Sequence, residues 1–158
     1  MDATTAAAMG WLERLQVEQA CRRLSLEFAR LNDAGRYEEL AALFTPEGVL
    51  SRPLAPDVDL RGRDAILQDI RRKPPGAMSH HVCSNVLVDV LSNEEAVGST
   101  YFTVYLQLGG ATPHEPFQFE GTVYVGTYVD RFRRTAEGWR IAERRGVNRF
   151  FLAAPLSA

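Results

Sequence analysis

Several features are scarce in this chain, and each scarcity excludes something. Cysteine occurs twice, as Cys21 and Cys83, with no CxxC pair and no Cys/His spacing that reads as a metal site. Two isolated thiols point to reduced, partly buried side chains in a cytoplasmic protein rather than to a disulfide framework. No apolar run approaches the roughly 20 residues needed to cross a bilayer. Met1–Gly10 has neither a basic start nor an adequate apolar stretch, so no signal peptide is expected. Neither sign of charge is in excess: the formal net charge is −2. The arginine pairs Arg22-Arg23, Arg71-Arg72, Arg133-Arg134 and Arg144-Arg145 lie among acidic residues. A nucleic-acid or anionic-membrane partner is therefore disfavoured. Repeats and low-complexity tracts are also missing. The 158 residues, 46% of them hydrophobic, suit one domain with a real core and room for a small cavity.

Taken in order, Met1–Gly10 reads as a flexible, alanine-rich leader. From Trp11 to Asn32, Trp11, Leu12, Leu15, Ala20, Leu24, Phe28 and Leu31 recur at helical spacing between charged residues, which predicts one long amphipathic helix. Asn32-Asp33-Ala34-Gly35 ends it, with Gly35 as a left-handed cap. A short helix over Tyr37–Phe44 follows, stopped by Thr45-Pro46-Glu47-Gly48. Val49–Arg52 is expected as a short strand, Pro53–Asp59 as an irregular loop, and Asp64–Arg72 as a third helix closed by Pro74-Pro75-Gly76.

The remainder reads as strand: Ser79–Leu91, Ala96–Leu108, Phe117–Thr135 and Trp139–Phe150, with a Gly/Pro loop at Gly109–Pro116 and a hairpin turn at Ala136-Glu137-Gly138. Helices followed by consecutive strands imply an α+β fold, with three N-terminal helices on one face of a strongly curved, mostly antiparallel sheet. Curled round the long helix, such a sheet becomes a cone-shaped α+β barrel whose concave side holds the pocket.

Two of the three histidines, His80 and His81, open the Ser79–Leu91 strand and point to opposite faces, so one of them looks into whatever cavity the sheet lines. The third, His114, sits in the Gly/Pro loop and is expected to face solvent. Asp130 and Arg131 are read as cross-strand polar pairs on the sheet surface. Trp139 and Ile141 belong to the core. Phe28, Phe44, Tyr101, Phe119 and Tyr124 form an aromatic set that serves packing and, in a cone, also lines the pocket.

The spaced residues also carry a resemblance. A long helix ending in Leu-Asn-Asp precedes Tyr37-xx-Leu40-xx-Leu43-Phe44-xx-Glu47-Gly48 and Gly62-Arg63-Asp64-Ala65-Ile66. His81-xxx-Asn85, Gly126-x-Tyr128-x-Asp130-Arg131-Phe132 and Gly138-Trp139-Arg140-Ile141 follow in that order. Over roughly residues 11 to 150 this resembles the SnoaL-like domains of the nuclear transport factor 2-like superfamily. It implies a single domain over 11–151, with a tail at 152–158. In scytalone dehydratase-like and dehydrochlorinase-like relatives, a histidine on this strand acts as base and an aspartate just after the first helix orients it. By position these roles fall to His81 and Asp33.

Two departures stand out. Phe28 occupies the place where dehydratase relatives have a tyrosine, and Val97–Leu108 holds no second acid. An electrophile would then come from Tyr101, Tyr105, Tyr124 or Arg145. Asn85 either caps a bulge or binds ligand, and Asp33 either orients His81 or hydrogen-bonds local backbone. The resemblance implies a cofactor-independent lyase or isomerase acting on a small hydrophobic substrate, cyclic and aromatic compounds included. The alternatives are a non-catalytic small-molecule-binding protein, or a structural partner like the small subunit of a ring-hydroxylating dioxygenase. A dimer or trimer built on the outer sheet face is expected in each case.

Overall fold

In the computed structural model, residues 9–109 and 118–153 are described. Helix α1 spans Trp11–Asp33, α2 Tyr37–Ala42 and α3 Arg63–Ile70. The strands are β1 (Phe44–Arg52), β2 (Ala55–Arg61), β3 (Met78–Val90), β4 (Glu95–Gln107), β5 (Thr122–Thr135) and β6 (Gly138–Ala153). They form one curved sheet in the order β2-β1-β6-β5-β4-β3. All neighbours are antiparallel except β1 and β6, which run parallel. The fold is therefore α+β with a mixed, mostly antiparallel sheet and three helices packed on it. His114 and most of the expected leader and tail lie outside the described residues, and β6 runs through Leu152 to Ala153.

Local chemistry explains the boundaries. α1 stops in a Schellman motif: Gly35 has φ 67°, its N–H donates to the Asn32 carbonyl, and the Arg36 N–H donates to the Leu31 carbonyl. Two expectations need correcting. Phe44 begins β1 rather than ending α2, and the stretch expected as a loop at Pro53–Asp59 mostly forms β2. β2 lies at the sheet edge and pairs only with β1, so its Pro56 breaks no ladder. The Ser51 hydroxyl donates to the Pro56 carbonyl at 2.8 Å and ties the hairpin together.

The buried stripe of α1 is also displaced from the expected one. Val17, Cys21, Ser25, Phe28, Ala29 and Leu31 are buried, whereas Trp11 is 74% exposed and Leu12 and Leu15 face solvent. The apolar residues of the first turns thus lie outside the buried stripe.

The inward face of β5 carries polar as well as apolar side chains. Tyr128, Asp130 and Phe132 are buried, while Val129 on the intervening face is 52% exposed. Asp130 is consequently not a surface partner of Arg131. It accepts from Arg144 on β6 through both carboxylate oxygens, Nε to Oδ1 and Nη2 to Oδ2, each at 2.7 Å. The Ser25 hydroxyl of α1 donates to Oδ2 at 2.9 Å. Both charged side chains are fully inaccessible to solvent. Burial works against the Arg144 charge, but the adjacent Asp130 carboxylate outweighs it and holds the guanidinium above its ordinary pKa. The same guanidinium lies 4.4 Å from the Phe28 ring centre and 4.6 Å from that of Tyr128. One ion pair thereby joins α1, β5 and β6 under two aromatic rings. As expected, Ile141 is fully buried and Trp139 packs against the core.

Removing one partner of such a pair leaves an uncompensated buried charge. Arg144→Met is expected to lose about 3–5 kcal/mol in urea denaturation, while the double variant Asp130→Leu/Arg144→Met recovers most of that loss. A single variant as stable as the parent would contradict this account.

Candidate functional site

Register decides which histidine faces inward. On β3, His81 stands opposite Val104 of β4 and His80 opposite Tyr105. Val104 is buried on the concave side and Tyr105 is exposed on the convex side, so His81 faces the concavity and His80 faces out. Only 5% of the His81 side chain is accessible.

Asp33 is the last residue of α1. A carboxylate there sits at the negative end of the helix dipole, where charge of its own sign is disfavoured unless donors surround it. Three do. His81 Nδ1 approaches Oδ1 at 2.5 Å, the His81 backbone N–H donates to Oδ2 at 2.7 Å, and the Ser79 hydroxyl donates to Oδ1 at 2.8 Å. Burial pushes the Asp33 carboxyl up, but these hydrogen bonds and the histidine charge outweigh it, leaving the group below the ordinary carboxylate range. When the imidazole is neutral, an ionised Asp33 favours the tautomer with the proton on Nδ1, which leaves the Nε2 lone pair directed away from it.

The network extends one residue further. Lys73, just past α3, donates from Nζ to Ser79 Oγ at 2.7 Å. Burial lowers the Lys73 pKa, with the Asp33 charge acting in the opposite sense. The resulting chain is Lys73, Ser79, Asp33, His81.

His81, Ser79 and Lys73 share a cavity of about 390 Å³ between the concave face and the ends of α1 and α3. Its apolar wall comes from Phe102, Val104 and Leu106 of β4, with Tyr124 and Tyr128 of β5 and Phe28 of α1. Pro53 and Leu54 of the β1–β2 hairpin border it as well. Pro53 can lie there because Gly146 has no side chain: a Cβ at that position would come within 2.4 Å of the proline ring. Arg52 and Asp69 form an ion pair at 2.8 Å among the lining residues. Asp33 does not line this cavity but a second hollow, with His80, Cys83, Leu26 and also His81, whose ring borders both spaces. Among the described residues, no group of three or more His, Cys, Asp or Glu is placed to hold a metal ion.

The expected site residues divide accordingly. His81 and Asp33 meet, and Phe28 and Tyr124 line the cavity. The others do not line it. Phe44 is fully buried behind Phe28, packed edge-on at 6.1 Å. Asn85 has φ 49° and occupies the bulge between Ser84 and Leu87, exposed, in a conformation that asparagine tolerates. Tyr101, 52% exposed, and Tyr105 are on the convex face, and Phe119 packs on Tyr105 at 5.7 Å. Arg145, also outward, pairs with Asp59 and Glu143. Strand parity explains Tyr101, Tyr105 and Arg145, which stand on the outward alternate positions of β4 and β6, whereas Phe119 precedes β5. Ser79 was within reach of the same reasoning, being two residues before His81 and on its face. Lys73 carries no such signal, because its place depends on how α3 meets the sheet.

The Asp33 carboxylate is ionised to lower pH in the folded protein than in the unfolded chain. Its stabilising effect is complete above the unfolded value of about 3.9 and disappears as pH falls through the lower folded value. The melting-temperature advantage of the parent over Asp33→Asn is therefore expected to be level from neutrality to about pH 5 and to shrink below about pH 4. An advantage that grows on acidification would reverse the assigned sign.

The SnoaL-like domain family model matches residues 13–145. Among solved structures, a proposed scytalone dehydratase from Novosphingobium aromaticivorans DSM 12444 superposes with a TM-score of 0.72 at 22% identity, covering 92% of this chain and 93% of that one. A type 2 hexachlorocyclohexane dehydrochlorinase, LinA, gives 0.76 at 15% identity over 94% and 97% of the two chains. An NTF2-like protein with a cystatin-like fold from Novosphingobium aromaticivorans gives 0.69 at 24%, over 99% and 93%. At these identities the likeness carries the fold. No curated protein matches the chain significantly in sequence. With the match running from the first turns of α1 into β6, the chain belongs to the SnoaL-like domain family and has its NTF2-like α+β fold.

Proposed function

We propose that this protein is a lyase- or isomerase-type enzyme that removes a proton from carbon in a small hydrophobic substrate, with His81 as base and Asp33 as the group that orients it. The observation that carries this reading is the 2.5 Å contact between His81 Nδ1 and Asp33 Oδ1, with the carboxylate behind the ring and the cavity in front of it. Asp33 selects the tautomer, leaves Nε2 as the proton acceptor, and stabilises the imidazolium that forms. The apolar wall limits water at the base, which favours proton transfer from a weakly acidic carbon over exchange with solvent. The names of two structural neighbours, scytalone dehydratase and hexachlorocyclohexane dehydrochlorinase, agree with a lyase. Self-association through the convex face is part of the same reading, because Val82, Tyr101, Tyr105, Val129 and Val147 remain exposed there.

The test is a panel of small cyclic ketones in D₂O, followed by NMR for deuterium uptake beside the carbonyl, together with elimination assays on scytalone and hexachlorocyclohexane. His81→Ala is expected to lower turnover of any responding compound by about 10²–10⁴-fold. Asp33→Asn should also lose most activity, since an amide does not impose the same tautomer. Binding measured by calorimetry should stay within a few-fold in both. Full turnover by His81→Ala would remove the base from the mechanism. Sedimentation of the parent should report a dimer or trimer, and a monomer at all concentrations would refute the assembly.

A further inference from the structure

Proton removal from carbon leaves a negative charge on the substrate, and a base alone does nothing for it. The cavity must present a cation or donor where that charge collects. Three of the four electrophiles considered from the sequence, Tyr101, Tyr105 and Arg145, are absent from the cavity lining, and Arg145 is engaged by Asp59 and Glu143. Lys73 is in the lining, with His81.

Several observations converge on Lys73. Its ammonium is anchored to Ser79, which shares a strand face with His81. Ser79 donates its own proton to Asp33, so its oxygen accepts from Lys73 and holds that ammonium by one N–H. Two of the three lysine donors remain, and among the described residues no other acceptor engages them. The lining also carries Arg52 and Arg72, against a single acid, Asp69, already paired with Arg52. An apolar cavity with this charge balance suits a ligand whose one polar group is an oxygen that can become anionic.

We propose that Lys73 is the electrophile of this site, and that the substrate is a small apolar carbonyl compound whose oxygen sits on the Lys73 ammonium while His81 takes the proton from the adjacent carbon. The proposal rests on the proton-abstraction reading above. In the step, the C–H bond breaks and its proton passes to His81 Nε2. The electron pair forms the C=C bond of an enolate, and the carbonyl π pair moves onto oxygen, where Lys73 holds it. Nothing is oxidised or reduced. Asp33 serves both ends, through His81 Nδ1 directly and through Ser79 toward Lys73. Lys73 is half-buried, which reduces competition from water and agrees with the downward effect of burial on its pKa.

Two probes test this. The first is 4-nitrophenol, whose ionised form is yellow and imitates an enolate oxygen on a ring. The parent is expected to bind the phenolate in preference to the phenol. Lys73→Met should lose at least about tenfold in phenolate affinity while nitrobenzene affinity is kept, and Lys73→Arg should recover part of the loss. Nitrobenzene binding and the melting curve report the integrity of the cavity, and Lys73→Gln carries the same comparison if the methionine variant does not fold. The second probe is deuterium uptake by 2-indanone, where Lys73→Met should lower kcat by about 10²–10³-fold with a smaller change in KM. Phenolate binding that ignores Lys73, or a parent that does not bind phenolate, overturns the proposal. Exchange that needs His81 but not Lys73 also overturns it and leaves the base in place. Lys73-dependent phenolate binding with no exchange on any ketone sustains the oxygen seat and removes the base.

Discussion

The cavity rests on one buried ion pair. Arg144 and Asp130 reach each other from adjacent strands, Ser25 joins them from α1, and Phe28 and Tyr128 lie against the guanidinium. In energy such a pair is close to break-even against apolar residues of the same volume, because both charges must leave water. Its contribution is positional. A bidentate guanidinium tolerates few orientations, so it sets where α1 crosses the sheet and where the two rings of the cavity wall stand. The cavity in front of those rings inherits its shape from that constraint.

The same crossing brings the end of α1 to the start of β3, where Asp33 meets His81. Asp33 ends its helix at a location that repels a carboxylate, and β3 meets it with a backbone N–H, an imidazole and a hydroxyl within two residues. Each donor offsets part of the cost of holding that charge half-buried. A carboxylate so completely engaged has little freedom, and it transmits that rigidity to the His81 ring. Ser79 passes the arrangement on to Lys73. The imidazole, the carboxylate and the ammonium are therefore held in one hydrogen-bonded chain, the kind of fixed arrangement that the proposed chemistry would need.

Much of this was legible from the residues. Element order gave the α+β class. The Asn32-Asp33-Ala34-Gly35 run marked the helix end, and period-two alternation placed His80 and His81 on opposite faces. The family likeness joined Asp33 to His81 across 48 positions, and the contact is present. Legibility failed where polarity was taken as a guide to direction. On β5 Val129 faces out, while Tyr128 and Asp130 face in, because the interior is built around Arg144. Pro53–Asp59 misled in another way: a proline-bearing segment reads as loop, yet an edge strand accepts proline at no cost to the ladder.

The division between the two levels follows from the range of the forces involved. Hydrophobic period, caps and turn formers act within a few residues, so the chain alone determined its helices, its later strands and the opposite facing of its two adjacent histidines. Which face became concave was decided by registers between strands and by a buried ion pair, both of which exist only after distant segments have met. Tyr101 and Tyr105 were carried outward by that choice, and Lys73 was brought beside Ser79 by it. An ammonium at a helix end has no sequence period to announce it. Its place beside Ser79 arises from the surface that folding put opposite.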